Sequence, residues 1–485
     1  MASRLDRFAL TAWLSTIALS ALMWWFGSGL RPWWWLTWLA PLPLLWLAPR
    51  TRAGWAALAA FLAWALGGMN QWTYLHGAIG LPLAVIAYVI AMPGVMLALC
   101  VLLFRRMLLV GQPLAAALAV PVVWVAVEYL NSLISPHGTF GNIGYTQMDA
   151  LPVIQIAAVT GIWGIGFLVM LMPATLAVLT CPSSSRQTRP TVAVVAMLLI
   201  GASVLYGSWR MQAAATTTTR IGLVSLEKPV RPALDDAQGR ALQVRYATAI
   251  TRLADSGARI VVMPETAFAT GGTSIPALAE LAHQRGLLID VGMDLKGAAE
   301  RNMSMVLGPA SVSPVTYSKH HLIPGFEDQY TPGDSYSMLA GNPRIGLAIC
   351  KDMDFHDIGQ AYAGHRAQLL LVPAWDFGVD GWLHSRMAIL RGIESGFAVA
   401  HAARSGRLTL SDDRGRVVAE ASSEQHDADL VGELSLRETR TLYSRWGDWF
   451  AWFDLATLAG LLGLARRRVI QIDLFPWEEL SARQR

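Results

Sequence analysis

The chain has 485 residues, of which 54% are hydrophobic and only 15% are charged, and its mean hydropathy is +0.40. In soluble globular proteins about a quarter of the residues are charged, so this composition excludes an ordinary soluble protein and indicates an integral membrane protein. The formal net charge of +4 fits contact with anionic lipid, and we expect no nucleic-acid partner.

Eight apolar runs are long enough to cross a hydrocarbon layer of about 30 Å. They lie at residues 8–26, 33–47, 54–69, 81–104, 114–129, 153–179, 191–206 and 449–464. The second and third runs are short, so either could be a tilted or re-entrant segment. The pattern predicts a transmembrane domain of seven helices over residues 1–212, an extramembrane domain over 213–445, a last transmembrane helix over 446–465 and a tail over 466–485.

The arginines of the connecting loops orient these segments, because short loops rich in Lys and Arg stay cytoplasmic. Arginines occur at every second loop and at both ends of the chain, at Arg4, Arg7, Arg50, Arg52, Arg105, Arg106, Arg186, Arg189, Arg466, Arg467 and Arg468. The alternate loops hold a single arginine, Arg31, before the extramembrane domain begins. This alternation predicts cytoplasmic termini and an extramembrane domain on the opposite face.

The polar part of the chain, from about residue 216 to about residue 445, alternates short apolar runs with amphipathic ones. Apolar runs at residues 220–226, 258–263, 287–293, 302–307, 345–350 and 368–372 predict strands, and amphipathic stretches at 237–256, 276–285, 356–364 and 382–395 predict helices. The alternation predicts an α/β layered domain whose sheet faces are both covered.

Three residues in this domain suggest nucleophilic chemistry. Cys350 ends an apolar run and is the only cysteine of the domain, while Glu265 ends another run and Lys319 lies between them. A cysteine nucleophile needs a base for its proton and a donor for the oxyanion, which Glu and Lys can supply. On the residues alone, a small buried cysteine, a solvated or capping glutamate and a surface lysine remain equally open readings.

The sequences around these three residues, together with three motifs elsewhere in the chain, help to choose between these interpretations. They are Val261-Val-Met-Pro-Glu265, Tyr317-Ser-Lys319-His-His-Leu-Ile-Pro324, Ile345-Gly-Leu-Ala-Ile-Cys350, Gly138-Thr-Phe-Gly-Asn-Ile-Gly-Tyr-Thr-Gln147, Gly161-Ile-Trp-Gly-Ile-Gly-Phe167 and Leu442-Tyr-Ser-Arg445-Trp-Gly-Asp448. In this order they resemble the nitrilase superfamily and, within it, the membrane-bound apolipoprotein N-acyltransferase family. The resemblance extends over almost the whole chain.

The resemblance implies an αββα sandwich with Glu265 as general base, Lys319 as oxyanion stabiliser and Cys350 as nucleophile. It implies a phospholipid acyl donor, a diacylglyceryl apolipoprotein acceptor, a thioester intermediate, and a bacterial inner membrane location with the catalytic domain in the periplasm. No metal and no cofactor are expected. Because positive groups favour thiolates, we expect the positive neighbours of Cys350 to lower its pKa.

The chain departs from the family pattern beside two of these residues. The family usually has Pro-Phe-Gly-Glu where this chain has Pro324-Gly-Phe-Glu327, and Cys-Tyr-Glu where it has Cys350-Lys-Asp352. Glu327 and Asp352 are therefore supporting candidates. The segment between Glu327 and Cys350 is also short for the family's hydrophobic lid.

Two aromatic residues, Trp375 and Phe377, match positions that would line the acyl pocket, although core packing explains them equally well. The altered cysteine motif and the short lid leave one alternative function open. In that alternative the chain is a membrane-tethered amidase that uses the same three residues with water as the acceptor.

Overall fold

The structure is a computed structural model that describes residues 2–181, 187–227, 230–309 and 314–467. A helical bundle precedes an α/β domain, and a last helix returns to the bundle. The bundle helices are α1 (Ala2–Gly27), α2 (Trp34–Thr37), α3 (Leu42–Leu47), α4 (Ala53–Gly68), α5 (Leu83–Leu109), α6 (Pro113–Ile134), α7 (Leu151–Ile154), α8 (Ala157–Thr160), α9 (Ile162–Thr180) and α10 (Arg189–Arg210).

Six apolar helices are long enough to span a membrane, and they lie in the regions of α1, α4, α5, α6, α9 and α10. They confirm six of the eight predicted spans, one of them, at residues 153–179, only over its second part. The predicted span at residues 33–47 is wrong as a continuous helix, because a turn near Pro41 separates α2 from α3. The predicted span at 153–179 is also interrupted, because Gly161 adopts a φ of +68° immediately before α9.

The interrupted segment at residues 33–47 has contacts at both ends of the bundle. Trp38 donates a 2.7 Å hydrogen bond to Gln147 near the end that carries the α/β domain, whereas Ala48 accepts a 3.0 Å bond from Arg105 at the opposite end. The two short helices of this segment therefore contact both ends of the bundle, and a membrane crossing by them stays a prediction.

The arginine-rich loops meet at the end of the bundle far from the α/β domain, as the sequence predicts. Arg105 donates to the carbonyl oxygens of Ala48 and Thr51, and Arg106 donates to those of Ala465 and Arg467. Arg186, Arg468 and the rest of the predicted tail lie outside the described residues.

The α/β domain contains two sheets. The first has the strand order β13-β1-β2-β4-β5-β6, with β3 also paired to β4, and the second has the order β12-β11-β10-β9-β8-β7. The strands are β1 (Thr217–Ser225), β2 (Ile260–Val262), β3 (Phe268–Thr270), β4 (Leu288–Leu295), β5 (Arg301–Leu307), β6 (Val315–Ser318), β7 (Met338–Leu339), β8 (Ile345–Leu347), β9 (Leu369–Trp375), β10 (Ala398–Arg404), β11 (Arg407–Ser411), β12 (Val417–Ser422) and β13 (Ala428–Leu436).

Helices cover the outer face of each sheet. Helices α11 (Ala237–Asp255) and α12 (Pro276–Arg285) contribute to the apolar cluster on the first sheet, and α13 (His356–Gly364) contributes to the cluster on the second. A third cluster, which includes Leu223 and Leu371, fills the space between the sheets. These layers confirm the predicted αββα sandwich, and all six predicted strands and four predicted helices are present.

Helix α14 (Gly381–Ser395) joins the sandwich to the bundle. Its apolar residues share one buried cluster with the bundle helices. In addition, Glu394 accepts a 2.7 Å hydrogen bond from the backbone N–H of Ile162 at the start of α9, and Arg391 lies 2.8 Å from Glu394. Two short helices complete the chain order, α15 (Tyr443–Trp446) and α16 (Trp449–Ala465). Helix α16 fills the position of the eighth predicted span with 17 residues.

Candidate active site

Three turns that follow strands bring Glu265, Lys319 and Cys350 into one site. Glu265 lies just beyond β2, Lys319 follows β6 directly, and Cys350 lies just beyond β8. Because β2 and β6 belong to the first sheet and β8 to the second, the two sheets meet at this site. The backbone N–H of Glu265 donates to the carbonyl of Ala374, and the Cys350 thiol donates to that of Trp375 at 3.7 Å, so both turns contact the end of β9.

Lys319 is buried between two carboxylates. Its Nζ lies 2.9 Å from Oε1 of Glu265 and 2.9 Å from Oε2 of Glu327, and all three residues are at most 5% exposed. Burial alone would lower the pKa of Lys319, but Glu265 and Glu327 outweigh this effect and raise the pKa well above its usual value. The ammonium is therefore charged at neutral pH, and Glu327 is the second carboxylate beside it.

Asn302 is a fourth member of this cluster, and the sequence reasoning missed it. Its Nδ2 donates to Oε1 of Glu265 and, at 2.7 Å, to Oε1 of Glu327. Its backbone carbonyl oxygen accepts a 2.9 Å bond from the backbone N–H of Lys319. The only sequence signal was a polar side chain at the start of an apolar strand, which does not specify a partner.

The pKa values of the two carboxyl groups, Glu265 and Glu327, are shifted in opposite directions. Burial raises the pKa of Glu265, and the favourable charge of Lys319 does not cancel the effect. Burial acts in the same direction on Glu327, but there Lys319 and the backbone N–H of Ile323 prevail and lower the pKa. A general base at neutral pH needs a raised carboxyl pKa, so Glu265 is the better candidate.

Gly292 on β4 lets the Glu265 turn approach the sheet. A Cβ at this position would lie 2.4 Å from the carbonyl oxygen of Pro264 and 2.6 Å from Cα of Glu265. Any larger residue would displace the turn and move the carboxylate away from Lys319.

Cys350 opens a single helical turn that ends at Asp354, and its own φ is +47°. A non-glycine residue in this region is strained, and such strain is concentrated at functional sites. Burial and the Glu265 carboxylate raise the pKa of the Cys350 thiol well above its usual value, against the opposing effect of Lys319. The expectation of a lowered pKa is therefore wrong. The resting group is a thiol, and catalysis requires a base to remove its proton.

Asp352 holds the Cys350 turn to the Lys319 segment. Its carboxylate accepts hydrogen bonds from the Tyr317 hydroxyl at 2.8 Å, from the N–H of Ile349 at 3.0 Å and from the N–H of His321 at 2.9 Å. All of these hydrogen-bond donors are groups of the protein itself. Its geometry is that of a positioning residue.

The two aromatic candidates have different surroundings. Phe377 packs against a cluster of bundle residues, and its ring is 5.3 Å from the half-exposed ring of Phe326. The Trp375 ring lies under the guanidinium of Arg404, with 4.3 Å between the guanidinium carbon and the ring centroid. Phe377 thus has mainly apolar contacts and Trp375 a cationic neighbour, and an acyl-lining role stays a prediction for both.

A loop of the bundle that follows α6 covers the Cys350 turn. Thr139 donates to the carbonyl oxygen of Asp354 from its backbone N–H at 3.0 Å and from its hydroxyl at 2.7 Å. Gly138 has a φ of +51°, and a Cβ there would lie 2.6 Å from the same oxygen. In this loop, His137 contacts Lys351, whose Nζ is 2.7 Å from the imidazole Nδ1. The active site therefore directly contacts the membrane-spanning part of the protein.

Comparison with known proteins agrees with both halves of this architecture. The family model for the apolipoprotein N-acyltransferase N-terminal domain matches residues 20–176, and the carbon-nitrogen hydrolase model matches residues 220–444. The apolipoprotein N-acyltransferase of Geobacter metallireducens is 26% identical, with 91% of this chain and 92% of the relative aligned. The Haemophilus ducreyi protein of the same name is 24% identical over 85% of this chain and 89% of the relative. The chain belongs to the apolipoprotein N-acyltransferase family.

This membership confirms that the chain is an enzyme of the N-acyltransferase type and a multi-pass bacterial membrane protein. The solved structures that resemble the α/β domain include an amidase from Nesterenkonia sp. AN1, with a TM-score of 0.39 and 21% identity over 45% of this chain and 91% of that chain. Saccharomyces cerevisiae Nit3 has a TM-score of 0.39 and 20% identity over 46% of this chain and 93% of that chain.

The site of this N-acyltransferase consists of ionisable groups without a metal-ligand arrangement. Within the described ranges, no group of three or more His, Cys, Asp or Glu side chains is placed to hold a metal ion.

Proposed function

We propose that this enzyme transfers the sn-1 acyl chain of a phospholipid to the free α-amine of a diacylglyceryl-cysteine at the N-terminus of an apolipoprotein. The observation that carries the proposal is the contact between the Cys350 turn and the bundle loop at Thr139 and Asp354. Both proposed substrates are anchored in a lipid leaflet, so the nucleophile must be reachable from the bundle side.

In the first half-reaction, Glu265 removes the proton of the Cys350 thiol while the sulfur attacks the ester carbonyl. Lys319 Nζ stabilises the oxyanion, a carbon–sulfur bond forms, and the ester carbon–oxygen bond breaks. The proton held by Glu265 passes to the leaving oxygen, and lysophospholipid departs. The raised pKa of Glu265 suits both steps.

In the second half-reaction, the lipoprotein amine attacks the thioester. A carbon–nitrogen bond forms, the carbon–sulfur bond breaks, and the amine proton returns to sulfur through Glu265. Phe377, with its contacts to the bundle cluster, would hold the acyl chain near the membrane during both steps.

A transfer assay tests this proposal. The purified protein is incubated with phospholipid and a synthetic diacylglyceryl lipopeptide, and products are identified by mass spectrometry. Lysophospholipid and N-acylated lipopeptide should form in equal amounts with little free fatty acid, because a dry site protects the thioester from water. If fatty acid accumulates whether or not the lipopeptide is present, the protein is a hydrolase and the proposal fails.

We also propose that the α/β domain faces the periplasm and that the arginine end of the bundle faces the cytoplasm. The contacts of Arg105 and Arg106 at that end support this orientation. Reporter fusions after Ala213 and after Arg467 should report opposite faces of the membrane. Two fusions on the same face would contradict the orientation.

A further inference from the structure

Lys351, which follows the nucleophile, has an unusual environment for a buried lysine. The residue is 3% exposed, and its Nζ donates a 2.7 Å hydrogen bond to Nδ1 of His137. Among the described residues, no carboxylate lies within 4.0 Å of this ammonium. Asp354 supplies the largest favourable charge, and it acts from a greater distance.

His137 cannot balance the charge of Lys351. Burial, and then the neighbouring Lys351, lower the pKa of His137 to about 4, so its ring is neutral at neutral pH. A neutral imidazole that accepts through Nδ1 carries its proton on Nε2. The pair therefore presents hydrogen-bond donors, namely the remaining N–H groups of Lys351 and the Nε2–H of the His137 ring. A buried ammonium without a counter-ion is unfavourable, and an anion would relieve it.

The length of α6 supports a position of the pair close to the phosphate groups of a bilayer. Helix α6 has 22 residues and is therefore about 33 Å long, close to the roughly 30 Å thickness of the hydrocarbon layer. Its last residue, Ile134, is 81% exposed, and His137 follows in the next turn. Thr139 holds this loop against the Cys350 turn, so the donor pair has a fixed position beside the nucleophile.

We propose that Lys351 and His137 bind the phosphate group of the acyl-donor phospholipid and so position its ester for attack by Cys350. This inference rests on the proposed function. The phosphate would supply the missing counter-charge, since lysine binds phosphate as a compact positive charge. The acceptor lipopeptide brings no phosphate, so the site acts in the first half-reaction alone. A purely structural contact between the loop and the turn would instead affect both half-reactions.

The experiment compares two acyl donors on the full-length protein. Thioester formation on Cys350 is followed by intact-protein mass spectrometry with phosphatidylglycerol and, separately, with the phosphate-free donor p-nitrophenyl palmitate. Wild type, Lys351→Met and Lys351→Arg are compared. Lys351→Met should lower the rate constant for phosphatidylglycerol by roughly tenfold to a hundredfold, the usual effect of one lost charged hydrogen bond, and leave p-nitrophenyl palmitate unaffected. Lys351→Arg, which keeps the charge, should restore most of the phospholipid rate.

A second measurement isolates the second half-reaction. Acyl-enzyme prepared with p-nitrophenyl palmitate is mixed with lipopeptide, and Lys351→Met should transfer its acyl group at the wild-type rate. An equal loss with both donors, or no loss with phosphatidylglycerol, would overturn the phosphate site. If wild type reacts with p-nitrophenyl palmitate and not with any phospholipid, the proposed function itself is wrong, which is a distinguishable result.

Discussion

The active site contains two buried lysines whose surroundings differ sharply. Lys319 and Lys351 are 1% and 3% exposed. Lys319 has two carboxylates at 2.9 Å, whereas Lys351 has one imidazole at 2.7 Å. Burial acts in the same direction on both, yet the pKa of Lys319 is raised and that of Lys351 is lowered.

This difference shows that the charged partners of a buried lysine, and not its burial alone, determine the direction of its pKa shift. The charge of Lys319 is balanced inside the protein, so it is ready to stabilise an oxyanion before any substrate arrives. In the described part of the chain, no carboxylate lies close enough to balance the charge of Lys351, which therefore suits an anion brought by a substrate. The predictions that follow test this contrast.

The largest effect is expected for Glu265→Gln, with Glu327→Gln as the matched control. Both changes remove a carboxylate at 2.9 Å from Lys319, but only Glu265 has the raised pKa of a base. Glu265→Gln should slow thioester formation by roughly a hundredfold to ten-thousandfold. Single-turnover kinetics with phospholipid measure this rate. A Glu327→Gln variant as slow as Glu265→Gln would remove the distinction between the two carboxylates.

The next effect concerns stability. Lys319→Met leaves two buried carboxylates without their cation and should lower the free energy of unfolding by about 3–5 kcal/mol, the usual cost of breaking a buried ion pair. Lys351→Met removes an ammonium that has no carboxylate within 4.0 Å among the described residues, so stability should stay the same or increase. Thermal unfolding in detergent measures both variants. Equal losses of unfolding free energy would show that the protein stabilises the charges of the two lysines to the same extent.

A smaller effect is expected in the bundle loop that brings His137 to Lys351. Gly138 and Gly141 both have positive φ, +51° and +83°, but only at Gly138 would a Cβ meet the carbonyl oxygen of Asp354. Gly138→Ala should slow thioester formation by roughly tenfold through displacement of the Cys350 turn. Gly141→Ala carries the same type of backbone strain without the clash, and it should be close to wild type. Similar rates for the two variants would mean that loop contact is unimportant.

Much of the α/β domain could be predicted from the sequence because its signals are local. Apolar runs located the strands before Glu265 and Cys350, and turn positions located the residues themselves. Strands β3, β6, β7 and β10 to β13 were missed, and the first three have only two to four residues. β10 contains four alanines in seven residues, and alanine is depleted in strands. β12 and β13 carry acidic residues, which interrupt the apolar run that would mark a strand.

The bundle shows why local signals are insufficient. Pro41 lies in a turn between two helices, whereas Pro93, Pro121 and Pro173 lie inside continuous helices. Packing against neighbouring helices, which sequence alone does not provide, decides between these outcomes. The same applies to the contact of Lys351 with His137, which are 214 positions apart, and to the raised pKa of Cys350, which depends on burial.

The central claim is that Cys350 accepts an acyl group from phospholipid, and intact-mass analysis of the protein incubated with phospholipid alone tests it most directly. We expect a mass increase of one acyl group, mapped to the peptide that contains Cys350, released by neutral hydroxylamine and absent from Cys350→Ala. An adduct of the same size on Cys350→Ala, or lysophospholipid formation by that variant at the wild-type rate, would contradict the account.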